Sequence, residues 1–112
     1  MVDCLFCKIR DGEISAEILY TDDDCLAFKD IFPKAPIHFL VIPHRHIENL
    51  FDVSESDVEL LGRIQVKIPK IAIEQGLASG FRTVMNTGTG GYQEVYHMHY
   101  HVLGGGPFTG FN

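Results

Sequence analysis

The segment that most restricts the fold is Tyr96-His97-Met98-His99-Tyr100-His101-Val102, in which every second residue over seven positions turns the same way. In an extended chain successive side chains face opposite sides, so His97, His99 and His101 share one face and Met98, Tyr100 and Val102 the other. The second set suits packing beneath a helix. The first is a row of imidazoles on a strand whose back is core, an arrangement that packing alone does not produce. The alternation predicts a strand over Val95 to Leu103, within a sheet that has one face covered and one face in use.

The rest of the chain supplies the partners for such a strand. Asp3 is placed to cap a short helix carrying Leu5, Phe6 and Ile9 and ending near Gly12. Glu17 to Tyr20 and Cys25 to Phe28 flank an Asp-rich turn and read as a hairpin. Ile37 to Ile42 is an apolar, β-branched stretch stopped by Pro43, a buried strand. Ser54-Glu55-Ser56-Asp57 has a capping pattern. Leu61, Ile64, Ile68 and Ile71 follow at helical spacing, opposite Glu59, Arg63, Lys67, Lys70 and Glu74. This is a long amphipathic helix with an interior proline, Pro69, where a kink is expected. Phe81 to Met85 reads as a further strand, joined to the histidine segment by the glycine-rich run Asn86 to Gly91. The order predicts one α+β domain over residues 1–112, with about five antiparallel strands, one long helix and one short one.

Composition removes several function classes. Nine Lys and Arg against fifteen Asp and Glu give a formal charge of −6, which disfavours nucleic acid as a partner. No apolar run exceeds the four residues Phe39 to Ile42, too short for a membrane span. Three cysteines are present, two of them in Cys4-x-x-Cys7; with no signal-like segment, this predicts a reducing, cytoplasmic setting. On the histidine face, an H-x-H pair can chelate a metal. His97 and His101, however, would lie about 13 Å apart along a strand, so one ion cannot collect all three. Nucleophilic catalysis at phosphorus fits better, because imidazole is a competent nucleophile. The preceding glycine-rich loop also offers backbone N–H groups to a phosphate.

His97 to Gly105 closely resembles the signature of the histidine triad (HIT) family. Phe6-Cys7-Lys8-Ile9, Gly12-Glu13-Ile14, Leu26-Ala27-Phe28 with Asp30-Ile31, Pro36-Ile37-His38, Val41-Ile42-Pro43 with His46-Ile47, and Asn86 follow in family order, covering about residues 4 to 106. Tyr96 and Leu103-Gly104-Gly105 resemble the nucleoside phosphoramidase branch. The resemblance implies hydrolysis of AMP phosphoramidates at the α-phosphate of a purine nucleotide, with His99 as nucleophile, a covalent nucleotidyl-histidine intermediate and no catalytic cofactor. Alternatives are a dinucleoside polyphosphate hydrolase of the same fold and a non-catalytic nucleotide-binding protein. It implies that His101 contacts the phosphate and that His38 and His97 orient the nucleophile and relay protons. Asp30 would bind the ribose and Ile31 the base, while Asn86 and the backbone from Tyr92 to Val95, through Gln93, Glu94 and Val95, would hold the phosphate. It also implies a homodimer.

Three positions depart from the family pattern. Glu94 stands where Ser or Thr is usual, Tyr92 where glycine is frequent, and the tail from Gly106 lacks the common Arg and Trp. The C-x-x-C spacing is half of a zinc site, or else two reduced cysteines packed near a terminus. Some bacterial-type family members complete such a site with a histidine after the Pro43 turn and the first triad histidine. The resemblance thus implies a structural zinc on Cys4, Cys7, His46 and His97.

Overall fold

Two short hairpin strands, β1 (Ile18–Thr21) and β2 (Cys25–Lys29), begin the sheet in the computed structural model, which describes residues 3–111. The carboxylate of Asp22 closes their turn by accepting from the backbone N–H of Asp24 at 2.8 Å and of Cys25 at 3.0 Å. That is the local chemistry for which Asp is favoured in turns. Strand β3 (Ile37–Pro43) pairs with β2, and β5 (Tyr100–Gly104) pairs with β3 on one side and β4 (Arg82–Val84) on the other. The sheet is five-stranded and fully antiparallel, in the order β1-β2-β3-β5-β4. The expected α+β architecture, with one short helix, α1 (Leu5–Arg10), and one long one, α2 (Val58–Glu74), is the one found.

The two-residue period sorts the sheet into two cores. Cys25, Ala27, Phe39, Val41 and Val102 face α2 and pack against Ile64, Ile68, Ile71 and Ala72. Removing each of these isoleucines from water contributes about 1.5–3 kcal/mol. Leu26, Phe28, Leu40 and Ile42 point the other way, onto Cys4 and Phe6 at the start of α1. His38 and His101 lie on this second face as well, since each is one residue out of step with Phe39 and Val102. Salt links fix α2 to the hairpin: Asp24 accepts from Arg63 at 2.9 and 3.1 Å and from Lys67 at 2.9 Å. Lys67 also reaches Asp22. No helix among the described residues is long and apolar enough to cross a membrane.

Several local expectations are corrected. The last strand begins at Tyr100, not Val95, because the Met98 N–H is taken by the carbonyl of Ile47 at 2.7 Å, outside the ladder. The cap of α1 is Cys4, whose sulfur accepts from the Cys7 N–H at 3.3 Å; Asp3 instead pairs with Lys8 at 2.7 Å. The Ser54–Asp57 capping box is present but closes a 3₁₀ turn, Glu55–Asp57, and α2 starts after it. Apart from these, the interior proline read from the sequence is found: Pro69 lies inside α2, on its exposed side.

Candidate active site

Three imidazoles on the α1 face of the sheet are fixed in orientation by their neighbours. His38 comes from β3 and His101 from β5, two residues out of direct register, His38 lying opposite Leu103 and His101 opposite Leu40. His99 lies on the segment entering β5, with the Phe6 ring edge-on at 5.0 Å between centroids. The His99 and His101 rings are 4.9 Å apart. All three line one cavity of about 570 Å³, a volume suited to a nucleotide-sized ligand.

Hydrogen bonds to main-chain atoms determine where each proton sits. The Nδ1 of His99 lies 2.8 Å from the carbonyl oxygen of His97, and a carbonyl only accepts, so Nδ1 carries the proton. In the neutral ring this leaves a lone pair on Nε2, which has no protein partner among the described residues. A second relay runs the opposite way. The Lys34 N–H donates to His38 Nδ1 at 3.0 Å, so His38 carries its proton on Nε2. That proton is donated to His101 Nδ1 at 2.9 Å. His101 is thereby left with Nε2–H as a donor. A nucleophilic nitrogen and a hydrogen-bond donor thus stand side by side in one cavity. Burial keeps the rings neutral: His101 is pushed down to about 4, chiefly by desolvation and then by His99 and His38. His38 and His99 are also held below the usual imidazole range by burial, against the pull of Asp30.

The other expected residues separate into two groups. Asp30, Ile31, Asn86, Glu94 and Val95 line the same cavity. One Asp30 oxygen accepts from the Phe32 N–H at 2.8 Å and the other stands 3.5 Å from His38 Nε2. Asn86 donates to the Gly91 carbonyl at 2.7 Å, bracing the glycine-rich loop. Gln93 does not face the cavity. Its buried amide accepts from Gly88 and Asn49 and donates to the carbonyls of Glu48 and Val95, so it ties the loop to the segment after β3. His97 is the second correction. Its ring points away from His99, and the orienting contact is its backbone carbonyl. Lys34 was not legible in advance, because it acts through a backbone N–H that its residue type does not announce.

The His97 ring lies among Cys4, Cys7 and His46, whose ligand atoms all fall within 4.8 Å of one another. His97 Nδ1 is 3.4 Å from Cys4 Sγ, 3.5 Å from Cys7 Sγ and 3.2 Å from His46 Nδ1, and Cys7 Sγ is 3.4 Å from His46 Nδ1. Ligands of zinc at ordinary bond lengths sit about 3.3–3.8 Å apart around a tetrahedron, so the set fits the ion. Two further features agree. His97 Nε2 donates to the Pro43 carbonyl at 2.8 Å, which leaves Nδ1 free to ligate. His46 turns its Nδ1 toward Cys7 and His97, while its Nε2 is buried with no partner among the described residues.

Comparisons with known proteins agree with this geometry. Residues 3–109 match the family described as "Scavenger mRNA decapping enzyme C-term binding". The chain is 46% identical over 104 residues to Protein HitA of Neisseria gonorrhoeae, covering 93% of this chain and 97% of that protein. It superposes on the crystal structure of a HIT family hydrolase from Legionella pneumophila with a TM-score of 0.93 at 48% identity, covering 97% of this chain and 98% of the other. A histidine triad protein from Clostridium difficile gives a TM-score of 0.93 at 43% identity, covering 100% and 98%.

Proposed function

This chain belongs to the histidine triad family, and from that premise we propose that it hydrolyses purine nucleoside phosphoramidates at the α-phosphate, through a nucleotide bound covalently to His99. The observation that carries the reading is the pairing of a free Nε2 lone pair on His99 with the Nε2–H of His101 in one cavity. The lone pair of His99 forms a bond to the α-phosphorus while the P–N bond breaks. The bonding electrons go to the leaving nitrogen, which takes a proton from water. His101 donates to a phosphoryl oxygen as charge grows there. Water then attacks phosphorus, the His99–phosphorus bond breaks, its pair returns to Nε2, and AMP leaves with a proton released to solvent. The His97 carbonyl stabilises the proton on Nδ1 throughout, and the Lys34–His38 relay keeps His101 a donor.

Cys4, Cys7, His46 and His97 would hold a structural zinc, which fixes the start of α1 against the segment leading into β5 and needs no part in the reaction. A homodimer is supported by α2: Val58, Gly62, Val66, Pro69 and Ile73 recur at three- to four-residue spacing along its exposed side. Sedimentation as a monomer at micromolar concentration would count against that partner.

The test of the activity is a side-by-side assay of AMP linked through nitrogen to a simple alkylamine and of a diadenosine polyphosphate. Faster release of amine and AMP supports the proposal; faster cleavage of the polyphosphate transfers the site to that class. Binding of AMP with turnover of neither leaves a nucleotide-binding protein.

A further inference from the structure

Tyr92 and Glu94 present to the cavity an aromatic ring and a carboxylate, both exposed, whose side chains make no hydrogen bond, ion pair or ring contact among the described residues. Both line the cavity that contains His99 and Asn86. Glu94 is exposed and makes no hydrogen bond or ion pair among the described residues. It is close enough for its charge to be felt at the His99 ring. Tyr92 is 86% exposed and holds a backbone φ of 61°, in the left-handed region that side chains other than glycine rarely adopt. Such a backbone is unfavourable, and the buried network that would repay it belongs to Gln93, not to the Tyr92 ring. Four charged residues line the cavity, Lys29, Asp30, Lys34 and Glu94; Asp30 and Lys34 are engaged beside His38, whereas Glu94 follows the glycine-rich loop. An unneutralised carboxylate next to a phosphate-handling histidine repels an anionic leaving group. It attracts a cation instead, as does the face of an aromatic ring lining the same cavity.

We propose that Tyr92 and Glu94 form a leaving-group subsite for a cation, so that the favoured substrates are nucleoside phosphoramidates whose amine carries a second, positively charged nitrogen. This rests on the phosphoramidase reading and deepens it by naming the class of amine. Glu94 pairs with the distal ammonium and the Tyr92 ring covers it, while the nucleotide occupies the Asp30 and His101 side. The two residues act in specificity and take no part in bond making.

The test compares AMP joined through nitrogen to 1,4-diaminobutane with AMP joined to 1-aminopentane, a neutral chain of the same length. Binding is measured by calorimetry on His99→Asn protein, and turnover on protein with His99 intact. The cationic ligand is expected to bind about fivefold more tightly, the scale of one exposed ion pair plus one cation–π contact. Adding Glu94→Gln should lower the ratio to about twofold, the share left to the cation–π contact, and salt should reduce it further. The readout is the ratio between two ligands on each protein, so a general change in activity does not register. Equal binding of the two ligands, or a ratio that Glu94→Gln leaves unchanged, overturns the subsite. If the preference holds while neither compound is hydrolysed by the unmutated protein, the subsite stands and the hydrolytic reading falls. If both are hydrolysed with equal kcat/KM and bound equally, hydrolysis stands and the subsite falls.

Discussion

His97 holds His99 with its backbone and not with its ring: its carbonyl accepts from His99 Nδ1 at 2.8 Å while its imidazole stands 3.4 Å from the Cys4 sulfur. One residue therefore belongs to two sites. The chemistry of His99 depends on where the chain runs at position 97, where the His97 ring is packed among Cys4, Cys7 and His46 and bonded to the Pro43 carbonyl, and the next N–H is held by Ile47.

Replacing the nucleophile should end turnover without unfolding the chain. His99→Asn is expected to lower kcat by several powers of ten, as removal of an activated nucleophile does. Its circular dichroism should match that of the unaltered protein. Radiolabelled AMP should be trapped on the unaltered protein at His99, and none on the variant. Near-native turnover by His99→Asn would remove the covalent route.

His101→Ala should be milder. It deletes one donor to the phosphoryl oxygen, a loss on the order of a hundredfold in kcat. His38→Phe removes the proton donated to His101 Nδ1, freeing that ring to take the other tautomer. A drop of about tenfold or more is expected, visible also as a changed ¹⁵N pattern of the His101 ring. An unchanged ring spectrum would show that the Lys34 relay does not set its tautomer.

Protein prepared without chelator should contain close to one zinc per chain. Removal of the metal should lower the melting temperature more than it lowers turnover per folded molecule, because a bound ion would order the chain around His97. Less than about a tenth of a zinc per chain, with no change in melting on chelation, would refute the site.

Acid stability should depend on Asp24. Hydrogen bonds from Arg63, then Lys67, hold its carboxyl down at about 2, below the usual 3.8. A carboxyl depressed on folding contributes stability that is fully present above its ordinary value and is lost as pH falls through the folded one. Asp24→Asn should therefore lower the melting temperature at pH 7 and flatten its fall between pH 4 and pH 2. Parallel curves for the two proteins would show that the pairs contribute nothing.

What could be read from the sequence was whatever short-range pattern encodes. The alternation through β2, β3 and β5, the Asp22 turn and the buried stripe of α2 all express a local period. The second stripe on α2, from Val58 to Ile73, was hidden because charged residues interleave with it. The start of β5 was misjudged because Met98 is paired with Ile47, some fifty residues away. The bracing role of the Gln93 side chain, bonded to Asn49 and Glu48, was not legible, since nothing nearby in sequence marks an inward-facing amide. Spacing alone joined Cys4 to Cys7, and they meet His46 and His97 only where α1, the segment after β3 and the segment before β5 come together.

Both proton relays end on peptide groups, the N–H of residue 34 and the C=O of residue 97. Substitution changes side chains and leaves these atoms in place; only proline at 34 removes one. The protonation pattern of the reacting histidines is consequently shielded from drift at the positions that impose it. Lys34 can be exchanged for almost any residue as the surface evolves. Position 97 answers only to the demands of its ring, and the loops around the cavity can diversify without resetting the chemistry within.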